Sequence, residues 1–418
     1  MKKTKLALAI ATSAMISTPV FATNGDVLIG LGAHARALGG TGTAAFFGSE
    51  NALTNPALLG KSQGTEFTIG GTIFKPNVKA TSDVVTGGQP AQSQTSDNDM
   101  NIIPEVSLST RINDNWTFGL GIFGSAGMGV DYRDTDALFN GYSNLQIMKF
   151  APSLAYNDTN FGFGFAPVIQ YGALDINYKM DTNANGSTSD QTDMNVGNGM
   201  STDIGFGFNL GGYFDVTKEL TLAVAYQSAI SMEYKDQISG ASMPFYGMGA
   251  LDAPFGDKLE QPAEIKVGAA YTTGSWMLTA DAKQIKWGDA AGYKDFNWKD
   301  QNVFGIGAKY TGQGYWLGAG YNFGSDPIEK LSDTSPNNQT INMFNNHFFP
   351  GIVESHITAG GGYKLTKNMA LDAAVVYAPE VEKTVNTGFL SQQADPAFSS
   401  HKVTHSQIGY TLSLRMNF

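Results

Sequence analysis

Three lysines in the second half of the chain, Lys266, Lys283 and Lys309, could hold an anion, and Glu264 and Asp281 stand among them. Their apolar neighbours are Ile265 and Val267, then Leu278, Ala280 and Ala282, then Ile306 and Ala308. If these segments are three consecutive strands, period two sends the charges to one face and the apolar side chains to the other. Lysines there could bind a carboxylate head group, or lysines and carboxylates could satisfy one another. Covalent chemistry is sparse. The chain has no cysteine, which excludes disulfides, thiolate zinc sites and cysteine nucleophiles. The histidines are His34, His347, His356, His401 and His405. His356 is expected to face inward opposite Asp372, and no serine-nucleophile motif accompanies it, so a structural hydrogen bond is expected rather than ester hydrolysis. No catalytic residue, metal ligand or cofactor is assigned.

Two further motifs lack their context. Gly40 to Ala45 (GTGTAA) satisfies a permissive dinucleotide pattern, but no apolar strand precedes it and no βαβ unit surrounds it. Asp181 to Gly186 (DTNANG) resembles the first half of a calcium loop, yet the acidic residue needed at position twelve is Thr192. Net charge is −11, with no basic run beyond the first residues, so nucleic acid is not an expected partner.

Residues 1–22 read as a secretory signal peptide. Lys2, Lys3 and Lys5 precede an apolar run from Leu6 to Ile16, and Val20-Phe21-Ala22 places the cut after Ala22. That run is too short to span a bilayer, and no later segment approaches 18 continuous apolar residues. Strands carry the pattern instead. From Ile408 to Phe418, Ile408, Tyr410, Leu412, Leu414, Met416 and Phe418 point one way, while Gly409, Thr411, Ser413, Arg415 and Asn417 point the other. Bulky residues on one face with aromatics at both ends describe a lipid-facing strand. The pattern recurs at Trp116–Ile122, Met148–Tyr156 and Tyr315–Phe323, with Gly, Ala and Ser on the inner face leaving lumen volume.

Fourteen candidate strands follow: 64–78, 101–112, 115–130, 146–157, 160–179, 202–215, 219–234, 262–273, 275–287, 301–312, 314–323, 353–364, 368–383 and 405–418. Short turns alternate with long segments near 79–100, 180–201, 235–261, 324–352 and 384–404, as at the two ends of an outer-membrane barrel. The expectation is an all-β, transmembrane antiparallel β-barrel over residues 63–418, crossing the bacterial outer membrane many times.

Residues 23–62 precede the barrel and cannot be one of its strands. Gly30 to Gly60 reads GLGAHARALGGTGTAAFFGSENALTNPALLG, too small in side chains to face lipid or cover a core. It can fit inside a lumen. Here the sequence resembles a known family. Ala35-Arg36-Ala37, Gly39-Gly40, Phe46-Phe47 and Asn55-Pro56-Ala57 look like the amino-terminal plug, or hatch, of the long-chain fatty-acid transporters of the outer membrane (FadL-type, including aromatic-hydrocarbon relatives). Pro104-Glu105-Val106, Gln261-Pro262-Ala263-Glu264, Trp298-Lys299-Asp300 and Phe349-Pro350 to Tyr363 agree, so the resemblance runs over essentially the whole chain. The terminal Phe418 resembles the signal read by the barrel assembly machinery.

The resemblance implies a fourteen-stranded barrel with an internal plug and passive, ligand-gated uptake of hydrophobic compounds. It implies an external groove built by two loops, for which Met243, Phe245, Tyr246, Met248, Leu251 and Phe255 are the candidates; the bland alternative is a loop packed on the rim. It implies a kinked third strand and a lateral exit into the membrane. Glycine-rich Gly124, Ser125, Ala126 and Gly127 stand at that place, and an ordinary barrel-corner bulge is the alternative. Lys266, Lys283 or Lys309 would meet an anionic head group. Long-chain fatty acids are the expected substrate, with alkanes or monoaromatic hydrocarbons as alternatives. A general porin is the rival of another class, and the plug argues against it. Bilayer lipid and lipopolysaccharide are expected partners of a chain that needs no second copy.

Overall fold

The computed structural model describes residues 23–84, 91–180, 193–391 and 399–418. The signal-peptide segment and the calcium-like Asp181–Thr192 motif lie outside them. Fourteen strands form the wall: β1 Thr65–Ser82, β2 Asn101–Arg111, β3 Trp116–Asp131, β4 Tyr142–Asn157, β5 Phe161–Met180, β6 Ser201–Asp215, β7 Leu220–Gln227, β8 Glu264–Thr273, β9 Trp276–Ile285, β10 Gln301–Thr311, β11 Tyr315–Gly324, β12 Ser355–Lys364, β13 Met369–Asn386 and β14 Ser400–Asn417. Each pairs antiparallel with its neighbour in sequence, and β14 returns to pair with β1 from Glu66 to Ser82. Closure removes the free edges that hydrocarbon would not tolerate.

Period two decides what each side of the wall meets. Large apolar side chains point outward, with Phe206 72% and Leu317 59% exposed. Such exposure on every face is lipid contact rather than a soluble surface. At the short-turn end, edge-on pairs such as Trp116–Tyr156 and Trp276–Tyr310 form an aromatic girdle.

One strand ends earlier than its alternation predicts. The pattern through residue 234 continues, but β7 stops at Gln227, and Ile230 and Glu233 make only isolated bridges with Gln261 and Lys258. The segment turns into the lumen. Ile230 and Met232 pack where a side chain on Gly205 would sit, and Tyr234 does the same at Gly172. Alternation therefore persisted because one face is buried, though that face is not a barrel strand.

Residues 23–62 fill the lumen. They include a short helix α1 Gly32–Ala37, a single turn α2 Asn51–Thr54 and a 3-10 turn Pro56–Lys61. Asn55 caps the last of these, its Oδ1 accepting from the Ala57 amide at 3.1 Å with Pro56 at the first position. Two helices lie in the long loops: α3 Ile238–Gly247 and α4 Pro336–Phe348, the latter capped by Ser335.

Candidate functional site

The plug is held by both shape and charge. Inward positions of the wall are glycine where plug backbone comes closest. A Cβ on Gly307 would lie 2.6 Å from Leu38 Cβ, one on Gly305 2.7 Å from the Gly39 carbonyl, and one on Gly360 2.6 Å from Ala37 Cβ. Gly39 and Gly40 both adopt left-handed backbone, with φ of 69° and 74°. An L side chain there is strained as well as crowded. Small residues on plug and wall are thus one feature seen from two sides.

Polar contacts then fix the register of plug on wall. Asp281 Oδ2 accepts from the Gly42 and Thr43 amides, each at 2.9 Å. Thr358 Oγ1 accepts from the Gly39 amide and donates to the Ala37 carbonyl, both at 2.9 Å. Asn322, Asn209 and Ser153 donate to the carbonyls of Gly39, Leu53 and Ala52. Arg36, on α1, pairs with Glu105 of β2 at 2.6 Å, both side chains at most 4% exposed, and also donates to Gly30 O, Thr72 and Thr411. Glu50, also in the plug, has its carboxyl pushed well above the usual range by burial and by the nearby Glu105 charge. Phe47 stacks with His34, which stacks in turn on Trp316. Phe46 is partly buried beside that cluster.

The inward lysines divide into two groups. Lys266 and Lys283 line a cavity of about 70 Å³ together with Glu264, Asp281 and Lys149. Glu264 pairs with Lys266 at 3.0 Å and reaches Lys283 at 3.8 Å. Mutual satisfaction is real but incomplete, because Asp281 is engaged by plug amides while three ammonium groups share the space. The rest of the lining is plug, including Val27 to Leu31, with Ser125 of the third strand and Gln227, Val303, Gly305 and Asn322 of the wall. Lys309 stands elsewhere, 5.6 Å from the ring centres of both Phe47 and Trp316. Lys149 did not stand out in the sequence. Its inward position between Met148 and Phe150 was legible, but its convergence on β8 and β9 across the lumen was not.

The third strand is interrupted where its glycines cluster. Pairing of β2 with β3 ends at Glu105 opposite Phe123. The β3–β4 register then slips between Gly124 and Ala126, which leaves Ser125 as the bulged residue. Pro104, which has no amide to donate, is the first β2 residue beyond the last pair. Residues 101–104 of β2 and 124–130 of β3 therefore face each other without a ladder. The plug fills the interruption: Val27 pairs with Ala126, and the Gly127 amide donates to the Asp26 carbonyl at 3.0 Å.

That plug strand is itself pinned. Asp26 Oδ2 accepts from Gln261 at 3.0 Å and from the Tyr293 hydroxyl. Burial pushes the Asp26 carboxyl up to about 6, and pushes the Tyr293 phenol well above its ordinary value. Gly25 lies against Trp287 and Trp298, whose rings leave no room for a side chain. Gln261 and Trp298 belong to segments already singled out in the sequence, so the signal was present although the contact was not.

At the mouth, the two longest loops are joined. Thr340 on α4 donates to the Ala250 carbonyl at 2.9 Å, and the Asp252 amide donates to Asn337 at 3.0 Å. The six apolar candidates of loop 235–261 split. Phe245 and Leu251 are buried, and Phe255 packs on Phe296 and Phe344. Met243, Tyr246 and Met248 remain exposed together on α3 and its end. Packing and an apolar outer patch coexist in one loop.

His356 departs from expectation in its neighbour. It is inward and fully buried, but it pairs across with Asn322, while Asp372 lies opposite Gly362. The turn at 365–368 sets that register. Asp372 instead accepts from Trp316 Nε1 at 2.7 Å and pairs with Arg415 at 3.1 Å.

A family model described as outer membrane protein transport protein (OMPP1/FadL/TodX) matches residues 13–418. The long-chain fatty acid transport protein of Escherichia coli K12 is 24% identical over 441 residues, covering 92% of this chain and 94% of its own. That of Salmonella typhi is 25% identical over 432 residues, with the same coverage. Among solved structures, a Pseudomonas aeruginosa FadL homologue aligns with a TM-score of 0.70 at 16% identity, covering 94% of this chain and 100% of that one. The toluene transporter TodX of P. putida aligns at 0.67 and 19%, covering 93% and 99%. At these identities the structures speak for the fold.

Proposed function

Since the chain belongs to the outer membrane protein transport family (OMPP1/FadL/TodX), we propose that this outer-membrane transport protein takes up long-chain fatty acids by a passive, ligand-gated route. Ligand gathers at the exposed patch of Met243, Tyr246 and Met248. It passes into the cavity over the plug, where Lys149, Lys266 and Lys283 meet its carboxylate. The plug strand then withdraws from the interruption in β3, and ligand leaves sideways between β2 and β3 into the bilayer.

The observation that carries this reading is continuity. One cavity touches three lysines, the plug strand and the bulged Ser125. An anion site and a break in the wall that share a cavity fit an amphiphile that enters head first and exits to lipid. Charge in a lumen of low dielectric is expensive to leave idle, which favours a charged ligand. The porin-like rival predicts an unobstructed polar lumen, and the filled lumen speaks against it.

The test is uptake in a deletion strain complemented with wild type or with Lys149, Lys266 and Lys283 all changed to Met. Oleate uptake should fall at least tenfold in the variant while the folded barrel still reaches the membrane. Unchanged oleate uptake would overturn the head-group assignment. The smallness of the cavity favours a second reading, in which a compact ring such as toluene is the cargo. In that case toluene uptake is wild-type in the triple variant and oleate is a poor substrate throughout.

A further inference from the structure

The outer face of the barrel carries a basic patch with no role in the path above. Lys75 and Lys79 occupy outward positions on β1, alternating with buried Phe74, Val78 and Ala80. Across the closing seam, Lys75 lies opposite Ile408, Asn77 opposite Ser406 and Lys79 opposite Thr404. Lys402 follows on β14, opposite Thr81. On the other flank Lys79 pairs with Thr95 and Thr81 with Ser93. The result is a surface of ammonium groups, hydroxyls and one amide on a single face, with the Glu382 carboxylate on its far flank opposite Thr404.

Its height in the membrane is marked by its neighbours. Tyr410 stands beside Ile73, one outward position below Lys75, and Tyr377 stands beside Ile408, the residue opposite Lys75, all facing lipid. Tyrosines at that level mark the edge of the hydrocarbon. The lysines therefore begin at the upper edge of the apolar belt, one outward position beyond Ile73, at the long-loop end of the barrel. Lys402 is paired with Glu382 at 3.1 Å. Among the described residues, no carboxylate is paired with Lys75 or Lys79. On the other outward faces at this end, lysine recurs at Lys179 on β5, away from the seam.

Two unpaired ammonium groups at the border of the outer leaflet, flanked by hydroxyl donors, complement a phosphate that is tethered to acyl chains. We propose that the β14–β1 seam is a docking site for the phosphorylated glucosamine lipid of lipopolysaccharide, with Lys75 and Lys79 holding a phosphate and acyl chains lying on Ile73, Ile102 and Leu412. The hydroxyls of Thr404 and Ser406 and the Asn77 amide supply the neutral donors. The site commits to a lipid because its lower half is apolar, which a free anion cannot use.

The experiment is binding of diphosphoryl lipid A to the purified full-length barrel by native mass spectrometry, comparing wild type, K75Q/K79Q and K75R/K79R. These residues are exposed, and gel heat-modifiability checks that each variant is folded. Two lysines near an anionic surface predict a loss of about thirtyfold in K75Q/K79Q. The arginine pair should retain binding. Equal lipid A affinity in wild type and K75Q/K79Q would overturn the proposal. So would equal, lysine-dependent binding of phosphatidylglycerol, which would mark a general anionic-lipid surface. Displacement of lipid A by millimolar inorganic phosphate would show a free-anion site and would also overturn it.

Discussion

Removing Arg36 should unseat the plug. Its guanidinium lies 2.6 Å from Glu105, and both side chains are almost wholly shielded. Glu105 is also the last β2 residue paired with β3 below the interruption, so this ion pair ties α1 to the edge of the gap. In Arg36→Met, Glu105 keeps the Gly32 amide at 3.3 Å as a weak partner and loses its cation. Breaking a buried pair by deleting one member costs about 3–5 kcal/mol. At about 1.4 kcal/mol per decade, the unseated population should rise at least a hundredfold. The assay is single-channel conductance in planar bilayers, where wild type should show little steady current and Arg36→Met frequent openings. Arg36→Met/Glu105→Gln removes both charges and should return close to wild type, because no uncompensated carboxylate remains. A closed Arg36→Met channel with unchanged thermal stability would refute the reasoning. So would a double variant as leaky as the single one.

Val27 and Ala126 are cross-strand partners in a chain without cysteine, so Val27→Cys/Ala126→Cys can be oxidised with no competing thiol; uptake should stop on oxidation and return on reduction, and uptake that persists when cross-linked would remove the lateral route. Gly320→Val places carbon on the Gly39 amide and should cost about 1–3 kcal/mol by overpacking, read as a lower thermal midpoint with increased leak. Asp26 predicts a pH dependence: with its carboxyl near 6 when seated against an ordinary 3.8 when released, seating is strongest below about pH 4. That advantage is lost as pH rises through about 6, a change of about 3 kcal/mol. Openings should therefore become more frequent over that window, and Asp26→Asn should flatten the profile; a flat wild-type profile would show that Asp26 is not part of the latch.

Much of the wall was legible in the sequence because strand alternation is local. Leu317 and Trp316 are assigned to opposite faces by counting, and they go there. The plug was legible by composition, since a run of Gly and Ala inside a strand-rich chain has few places to go. What escaped was set by closure and by turns. Lys149 meets Lys266 and Lys283 only because β4 faces β8 and β9 across the lumen. His356 misses Asp372 because a four-residue turn fixes the register. In loop 235–261 no period separates buried Phe245 from exposed Tyr246. Residues 228–234 kept the strand rhythm while turning inward, since period two reports a one-sided burial and not which partner supplies it.

The closing seam has a consequence for assembly. Arg36 reaches Thr72 on the first strand and Thr411 on the last, so the two ends of the wall meet over the plug. Until β14 pairs with β1, residues 23–62 can enter or leave through the open side of a curling sheet. Afterwards the wall encloses them apart from the β2–β3 interruption and the two mouths, one of which is roofed by α3 and α4. The final pairing of the chain is thus the step that decides whether a barrel matures sealed or hollow. A barrel that zips before its plug is seated has no easy way to correct the error.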